Sequence, residues 1–151
     1  MGDKFPLIVS PEKDSKGEFK VATSFQTLLD ASRSVRKDLE YVEQDYALLI
    51  SNLRCLLIRS GTSGRRDPRI YWLAGDEILS FLRRMDDLGF FLHQQNKTLA
   101  RDVGVHESLL KRVISFRRRF PLLSQVDPSI LWTRYRSNAV PLPGSEKDQG
   151  V

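Results

Sequence analysis

The chain has 151 residues, and its 24 Lys or Arg outnumber its 19 Asp or Glu to give a formal net charge of +5. That length suffices for one domain with a hydrophobic core, or for one domain with flexible ends. The sequence contains neither the roughly twenty consecutive apolar residues of a membrane-spanning helix nor a secretory signal, so we expect a soluble cytoplasmic protein with no membrane partner.

Residues 1–22 predict a flexible N-terminal arm, because Pro6, Pro11 and Gly17 interrupt any periodic pattern. A short strand around Phe5–Ser10 is compatible with the sequence but is not required by it.

A long helix is predicted from about Thr23, with Ser24 as its cap. Apolar residues repeat there at alternating steps of four and three, with one polar break at Ser32, which is the spacing of heptads. The positions are Leu28, Ser32, Val35, Leu39, Val42, Tyr46, Leu49, Leu53 and Leu56.

A second long helix is predicted over 68–95, after a loop at 60–68 that reads SGTSGRRDP. Its apolar residues again repeat at four and three. Two such helices joined by a short loop predict an antiparallel, coiled-coil-like hairpin over 23–95. The aromatic residues give the second helix a further apolar face, which favours a homodimer with Phe90 as a candidate for the intersubunit surface. These aromatic residues are Tyr71, Trp72, Phe81, Phe90 and Phe91.

Residues 96–118, NKTLARDVGVHESLLKRVISFRR, have the form of a DNA-binding helix-turn-helix. Ala100 provides the small residue that two steeply crossing helices need, and Gly104 provides a residue that tolerates positive φ in the turn. We expect Thr98 to cap the first helix, and His106 or Ser108 to lie near the start of the second. Five apolar residues would face inward: Leu99, Val103, Val105, Leu110 and Val113. The alternative interpretation is an ordinary helical hairpin.

The second helix of this unit, the recognition helix, is predicted over about 107–119, and Pro121 is expected to end it near Phe120. Asp127-Pro128 then opens a short closing helix, SILWTRYRS, in which Trp132 and Tyr135 fit packing on the bundle better than stacking on unpaired bases. Residues 137–151 predict a disordered tail. The predicted fold class is therefore all-α, with a helical hairpin over 23–95, a DNA-binding part over 96–136 and flexible ends.

Positive charge is concentrated in the part that has the helix-turn-helix pattern. Residues 97–136 contain nine Lys or Arg against three acids, a net +6, whereas the remainder of the chain has a net charge of −1. This asymmetry is expected of a nucleic-acid-binding module, since phosphate contacts supply much of the affinity. The alternative is a solvated helix face that is basic by chance.

The order of motifs in residues 68–137 resembles a known domain. The motifs are YWLAGDEI at 71–78, TLARDVGVHESLLKRVISFRRRFP at 98–121 and ILWTRYRS at 130–137. Together they are similar to the helical N-terminal domain of YhcG-like proteins, which precedes a restriction-type nuclease domain. The resemblance implies that Tyr71, Trp72 and Gly75 pack between helices. It implies nucleic-acid binding but no nuclease activity here, because Glu146 and Asp148 are not surrounded by a strand pattern.

Residue patterns typical of enzymes and metal sites are absent. Cys55 is the only cysteine, and we expect it to be a small buried residue that forms no disulfide. The adjacent carboxylates Asp76-Glu77 and Asp86-Asp87 would point about 100° apart on a helix, so they do not converge and are expected to be solvated. We therefore expect no enzyme, no cofactor and no metal site.

The sequence predicts a dimeric, sequence-dependent DNA-binding regulator, or a DNA-binding accessory factor of a mobile-element or defence system. The alternative is a helical interaction or scaffold subunit that recruits a partner protein such as a nuclease. The expected ligand is duplex DNA. Candidate contacts to base edges are His106, Glu107, Ser108, Lys111, Arg112 and Ser115, and candidate contacts to phosphates are Lys97, Arg101, Arg117, Arg118 and Arg119.

Overall fold

A computed structural model describes residues 7–22, 33–59 and 67–144, and the chain is mostly helical with one small sheet. The strands are β1 (Leu7–Lys13), β2 (Phe19–Ala22) and β3 (Phe90–Leu92), and the helices are α1 (Arg33–Arg54), α2 (Pro68–Leu88), α3 (Gln95–Val103), α4 (Glu107–Arg119) and α5 (Trp132–Arg136). A π-helical turn, Cys55–Arg59, extends α1, and a 3-10 turn, Leu123–Gln125, precedes α5. No helix in these ranges is long and apolar enough to cross a membrane.

The sheet corrects the prediction of an all-α chain. β1 lies in the middle, antiparallel to β2 and parallel to β3, with Leu7 opposite Phe90 and Val9 opposite Leu92. Residues 7–22 are therefore a β-hairpin in place of the predicted arm. Val9 is fully buried. The parallel partner of β1 is about eighty residues away in sequence, and local periodicity does not reveal such a pairing.

Five of the predicted heptad positions are buried in α1, whereas Leu56, in the π-helical turn, is only partly buried. Leu39, Val42, Tyr46, Leu49 and Leu53 are each at most 7% exposed. The predicted cap Ser24 and positions 28, 32 and 35 lie outside the described residues or have side chains outside them. The prediction of a buried Cys55 is wrong: this thiol is exposed.

Helix α2 begins as predicted but ends seven residues early. The carboxylate of Asp67 accepts a hydrogen bond from the amide of Arg69 and caps the first turn, with Pro68 as the first helical residue. Gly89 adopts φ +81° and ends the helix, a conformation that glycine adopts without steric cost. Leu92, predicted as the last heptad position of the helix, is in β3 instead.

Phe90 is buried within the chain, at 4% exposure. It was predicted to lie on an intersubunit surface, and that assignment is wrong because β3 places its ring in the core. Tyr71, Trp72 and Phe81 are also buried, so most of the second apolar face of α2 is covered by the chain itself.

Helices α2 and α4 cross closely at Gly75. A Cβ atom at this residue would lie 2.6 Å from Cβ of Arg117 and 2.7 Å from the carbonyl oxygen of Val113. These distances are shorter than real Cβ contacts, so only glycine fits. The crossing holds the inward side of α4 against α2.

A buried hydrogen bond joins α1 to α3. The Tyr46 hydroxyl donates to Oδ2 of Asp102 at 2.5 Å, and Tyr46 is fully buried. Arg101 donates to both carboxylate oxygens of Asp102 and to the carbonyl oxygen of Pro11 in β1. Helix α3 is therefore tied to both α1 and the sheet.

Replacing Gly75 by alanine tests the close crossing. In an open helix this change stabilises by about 0.5–1 kcal/mol, whereas overpacking costs about 1–3 kcal/mol. We expect the free energy of unfolding of Gly75→Ala to fall, as measured by urea denaturation. Because the two effects have opposite signs, an increase would contradict the crossing geometry.

Replacing Tyr46 by phenylalanine tests the bond between α1 and α3. Near pH 8 we expect Tyr46→Phe to lose about 1–2 kcal/mol, since Asp102 loses a donor. Burial raises the pKa of Tyr46 above its ordinary value, and the hydrogen bond to Asp102 raises it further. The contribution of the protonated Tyr46 hydroxyl to stability is fully present below the unfolded-state pKa of tyrosine, about 10. As pH rises beyond that value, the unfolded chain loses this proton while the folded chain keeps it, so the contribution is lost.

The difference in unfolding free energy between wild type and Tyr46→Phe should therefore shrink above about pH 10. Tyr41→Phe, whose ring is half exposed on the same helix, is the control and should match the wild type at pH 8. A Tyr46→Phe deficit that stays constant up to pH 11 would contradict the assignment.

Candidate nucleic-acid interface

A three-residue turn joins α3 to α4. Gly104 adopts φ +89°, and its amide and that of Val105 both donate to the carbonyl oxygen of Ala100, at 2.9 and 3.1 Å. Any residue with a Cβ would be strained at Gly104. Helix α4 then runs from Glu107 to Arg119 and stops before Pro121, at the predicted bounds.

The burial predicted for the inward positions of these two helices is confirmed, apart from Val105, which is only partly buried. The buried set is Leu99, Ala100, Val103, Leu110 and Val113, each at most 6% exposed.

The predicted caps of α3 and α4 need correction. Thr98 lies inside α3, where its buried hydroxyl donates to the carbonyl oxygen of His93 at 2.7 Å. Gln94, in a left-handed conformation, precedes the first residue of α3. His106 precedes α4, but its side chain makes no capping hydrogen bond.

The six residues proposed to contact base edges are all exposed on one side of the α3–α4 unit. They are His106, Glu107, Ser108, Lys111, Arg112 and Ser115. Lys111 and Glu107 form an exposed ion pair one turn apart, at 3.6 Å. Exposed pairs of this kind are weak, so the Lys111 ammonium is free to exchange Glu107 for another anion.

Helix α4 forms a ridge between two shallow grooves. One groove, of about 290 Å³, lies on the side of α3 and is lined by Gln95, Asn96, Lys111, Ile114, Ser115, Arg118 and Arg119. The other, of about 300 Å³, lies on the side of α5 and is lined by Lys111, Arg112, Ser115, Phe116, Arg119, Tyr135, Arg136 and Asn138. Lys111, Ser115 and Arg119 line both grooves, and the exposed Arg112 lies beside Lys111; these four residues form the crest of the ridge. Neither set contains an acidic residue.

Arg117 is committed to the packing of α4 on α2. Its Nε donates to Oδ1 of Asp76 at 3.0 Å, and its guanidinium lies 4.7 Å from the centre of the Trp72 ring. Its side chain is only 22% exposed. The structure therefore removes Arg117 from the phosphate-contacting set. Asp76 was expected to be solvated, but its carboxylate forms an ion pair with Arg117 between α2 and α4.

Two further predicted phosphate contacts hold neighbouring segments. Arg101 binds Asp102 and the carbonyl oxygen of Pro11, and the hydrogen bond to Asp102 raises the pKa of Arg101. Arg119 donates to Oδ1 of Asn138 and to the carbonyl oxygen of Val140, at 3.4 Å in the latter case. Arg119 thus fastens residues 138–140 to the end of α4.

Five cations near the ridge are exposed and have no hydrogen bond or ion pair with the described parts of the chain. They are Lys97, Arg112, Arg118, Arg134 and Arg136. The sequence predicts DNA contacts for the first three only. The charge count included Arg134 and Arg136, but no periodicity indicated which way α5 would turn them.

Trp132 and Tyr135 are core residues, as predicted. Trp132 stacks on Tyr71 with ring centres 4.1 Å apart, and Phe116 contacts both Trp132 and Tyr135. The Tyr135 hydroxyl accepts a hydrogen bond from the amide of Asp127, and burial raises the pKa of Tyr135. Within residues 7–22, 33–59 and 67–144, no three His, Cys, Asp or Glu side chains are grouped so that they could hold a metal ion.

No protein-family model, no curated protein and no solved structure matches this chain.

Alanine substitutions at Arg117 and Arg118 test whether the two neighbouring arginines differ in their contribution to stability. We expect Arg117→Ala to lower the free energy of unfolding by about 1–2 kcal/mol, because it loses a partly buried ion pair and a cation–π contact. Arg118→Ala, one residue further on the exposed side, should stay within about 0.5 kcal/mol of wild type. Urea denaturation measures both, and equal losses would contradict the distinct roles.

Proposed function

We propose that the chain binds duplex DNA, with α3 and α4 acting as a helix-turn-helix and α4 as its recognition helix. The observation that supports this most directly is the exposed ridge of α4, which carries Lys111, Arg112 and Ser115 and is flanked by grooves without acidic residues. An α-helix is about 10–12 Å wide with its side chains, which suits the major groove of B-form DNA, about 12 Å wide.

In this proposal the crest of the ridge contacts base edges. Lys111 and Arg112 are long enough to reach guanine O6 and N7. His106, Glu107, Ser108 and Ser115 share this exposed face and complete the candidate set. Glu107 would accept from cytosine N4 once Lys111 binds elsewhere.

The phosphate contacts are fewer than the sequence predicted. Lys97 and Arg118 keep this role, because both are exposed and lack a polar partner in the described ranges. Arg101, Arg117 and Arg119 instead position α3, α4 and the segment after α5. We therefore expect these three to affect DNA binding through folding and geometry.

Duplex DNA is the preferred ligand in this proposal. The deep, narrow major groove of A-form RNA excludes a helix. Stacking on unpaired bases would need exposed aromatic rings near the ridge, but Trp132 and Tyr135 are at most 9% exposed. We propose no catalytic activity for this surface.

We further propose a dimeric regulator, or an accessory factor of a mobile-element or defence system, with the two long helices paired as a hairpin. The dimer has less support from the aromatic residues, because Phe90 in β3 and the three aromatic residues of α2 are buried in the chain, and only Phe91 of the predicted set is exposed. The candidate surface that remains includes Tyr41 and Leu48, which are at least half exposed on α1.

Removing both long side chains from the crest tests the DNA-binding proposal. We expect Lys111→Ala with Arg112→Ala to weaken duplex binding at least about tenfold and to flatten its dependence on salt, because two cations that meet the duplex are lost. The matched control is Arg36→Ala with Lys37→Ala, which removes the same charge from exposed positions on α1. Fluorescence anisotropy over a series of salt concentrations measures both.

Unchanged affinity and salt dependence in the crest variant would rule out α4 as the reader. Equal losses in the control variant would instead indicate a response to net charge alone. Selection from a random duplex library, with single-stranded DNA and duplex RNA as competitors, then distinguishes the finer alternatives. A motif with twofold symmetry would support a dimeric regulator, and binding without a motif would support an architectural or accessory role. The scaffold alternative would be favoured by absence of binding at low salt.

A further inference from the structure

The groove between α4 and α5 is lined by basic residues on both sides, and on the α5 side the basic residue is Arg136. Arg136, on α5, lines this groove opposite Lys111 and Arg112. Arg136 is exposed and has no hydrogen bond or ion pair with the described residues, whereas the floor of the groove is formed by the buried rings of Phe116 and Tyr135. Four cationic residues thus line one open space from two helices, and three of them, Lys111, Arg112 and Arg136, are not engaged with the segment after α5 as Arg119 is.

The backbone of α5 around Arg136 is held in place relative to α4. Tyr135, immediately before Arg136, packs against Phe116 and Phe120 with ring centres 4.9 and 5.3 Å away. Its hydroxyl accepts from the amide of Asp127, and Arg119 anchors the chain two residues beyond Arg136 by donating to Asn138. Only the side chain of Arg136 is free to move, so binding there orders little besides that side chain.

Arg134, on the same short helix, is a natural control for Arg136. Both arginines are exposed, but Arg134 does not line the groove. Residues two apart on a helix point about 200° from each other. The two side chains therefore carry the same charge on opposite sides of α5.

We propose that Arg136 binds a backbone phosphate of the duplex whose bases α4 contacts, a contact that rests on the proposed function. When a helix occupies the major groove, the two phosphate backbones lie along its sides. The groove between α4 and α5 receives one of these backbones. A guanidinium opposite Lys111 and Arg112 pairs with a phosphodiester through two parallel N–H···O bonds.

The ligand assignment follows from the chemistry of the groove. Its polar side chains are cationic or neutral, which excludes a cationic ligand. The Phe116 and Tyr135 rings that line the groove are at most 2% exposed, so they offer no open ring face for a stacked base. A phosphate contact positions the protein without reading sequence, so the loss of Arg136 should weaken binding similarly on all duplexes.

Arg136→Ala and Arg134→Ala form the test. For Arg136→Ala we expect the slope of log affinity against log salt to become shallower by about 0.9, and affinity at about 0.1 M salt to fall roughly five- to tenfold. Arg134→Ala should stay within about twofold of wild type, with an unchanged slope. Arg136→Lys keeps the charge and should recover most of the slope. The guanidinium groups of both arginines lie at the surface without polar partners in the described ranges, so circular dichroism should confirm intact folding.

Two results would overturn the assignment of Arg136 alone. One is an unchanged slope in Arg136→Ala while the crest variant, Lys111→Ala with Arg112→Ala, loses binding. The other is an equal effect of Arg134→Ala, which would indicate net charge and not a defined contact. Failure of the wild-type protein to bind any duplex at low salt would overturn the proposed function and this contact together.

Discussion

The close crossing of α2 and α4 at Gly75 is the contact on which the candidate interface depends. Because no side chain separates the two backbones there, Val113 and Arg117 lie directly against α2. This contact sets the rotation of α4 about its own axis, and the rotation decides which residues are buried and which are exposed. Once Val113 is buried, Lys111 and Ser115 have to face away from α2, since they lie on other sides of the same helix.

The three consecutive arginines at the end of α4 have different roles, because successive residues on a helix point about 100° apart. Arg117 faces α2, where Asp76 and Trp72 bind it. Arg118 is exposed, and Arg119 reaches the segment after α5. By composition alone, these three arginines would form one phosphate-binding patch. In the structure Arg117 packs against α2, Arg118 is an exposed cation, and Arg119 holds the segment after α5. The free positive charge of the interface comes from positions spread over α3, α4 and α5.

The region around α3 depends on a polar contact in addition to apolar packing. The carboxylate of Asp102 accepts from the buried Tyr46 hydroxyl and from Arg101, which also donates to β1. A buried carboxylate is costly unless it is hydrogen-bonded, and these donors satisfy it. They also fix the position of α3 relative to α1 and the sheet, and α4 follows α3 directly after the turn at Gly104.

Local periodicity in the sequence determined the heptad positions of α1 from Leu39 to Leu53 and most of the buried residues of the α3–α4 unit, because an amphipathic helix has its apolar residues on one side whatever the partner. Pro121 determined where α4 ends. The tertiary structure alone decided the rest. The pairing of β1 with β3 joins segments far apart in sequence, and α2 ends early, at Gly89, so that the next residues, Phe90–Leu92, enter that pairing. The different roles of Arg117 and Arg136 depend on which helix lies opposite each side chain, and residue spacing along one helix contains no information about its neighbour.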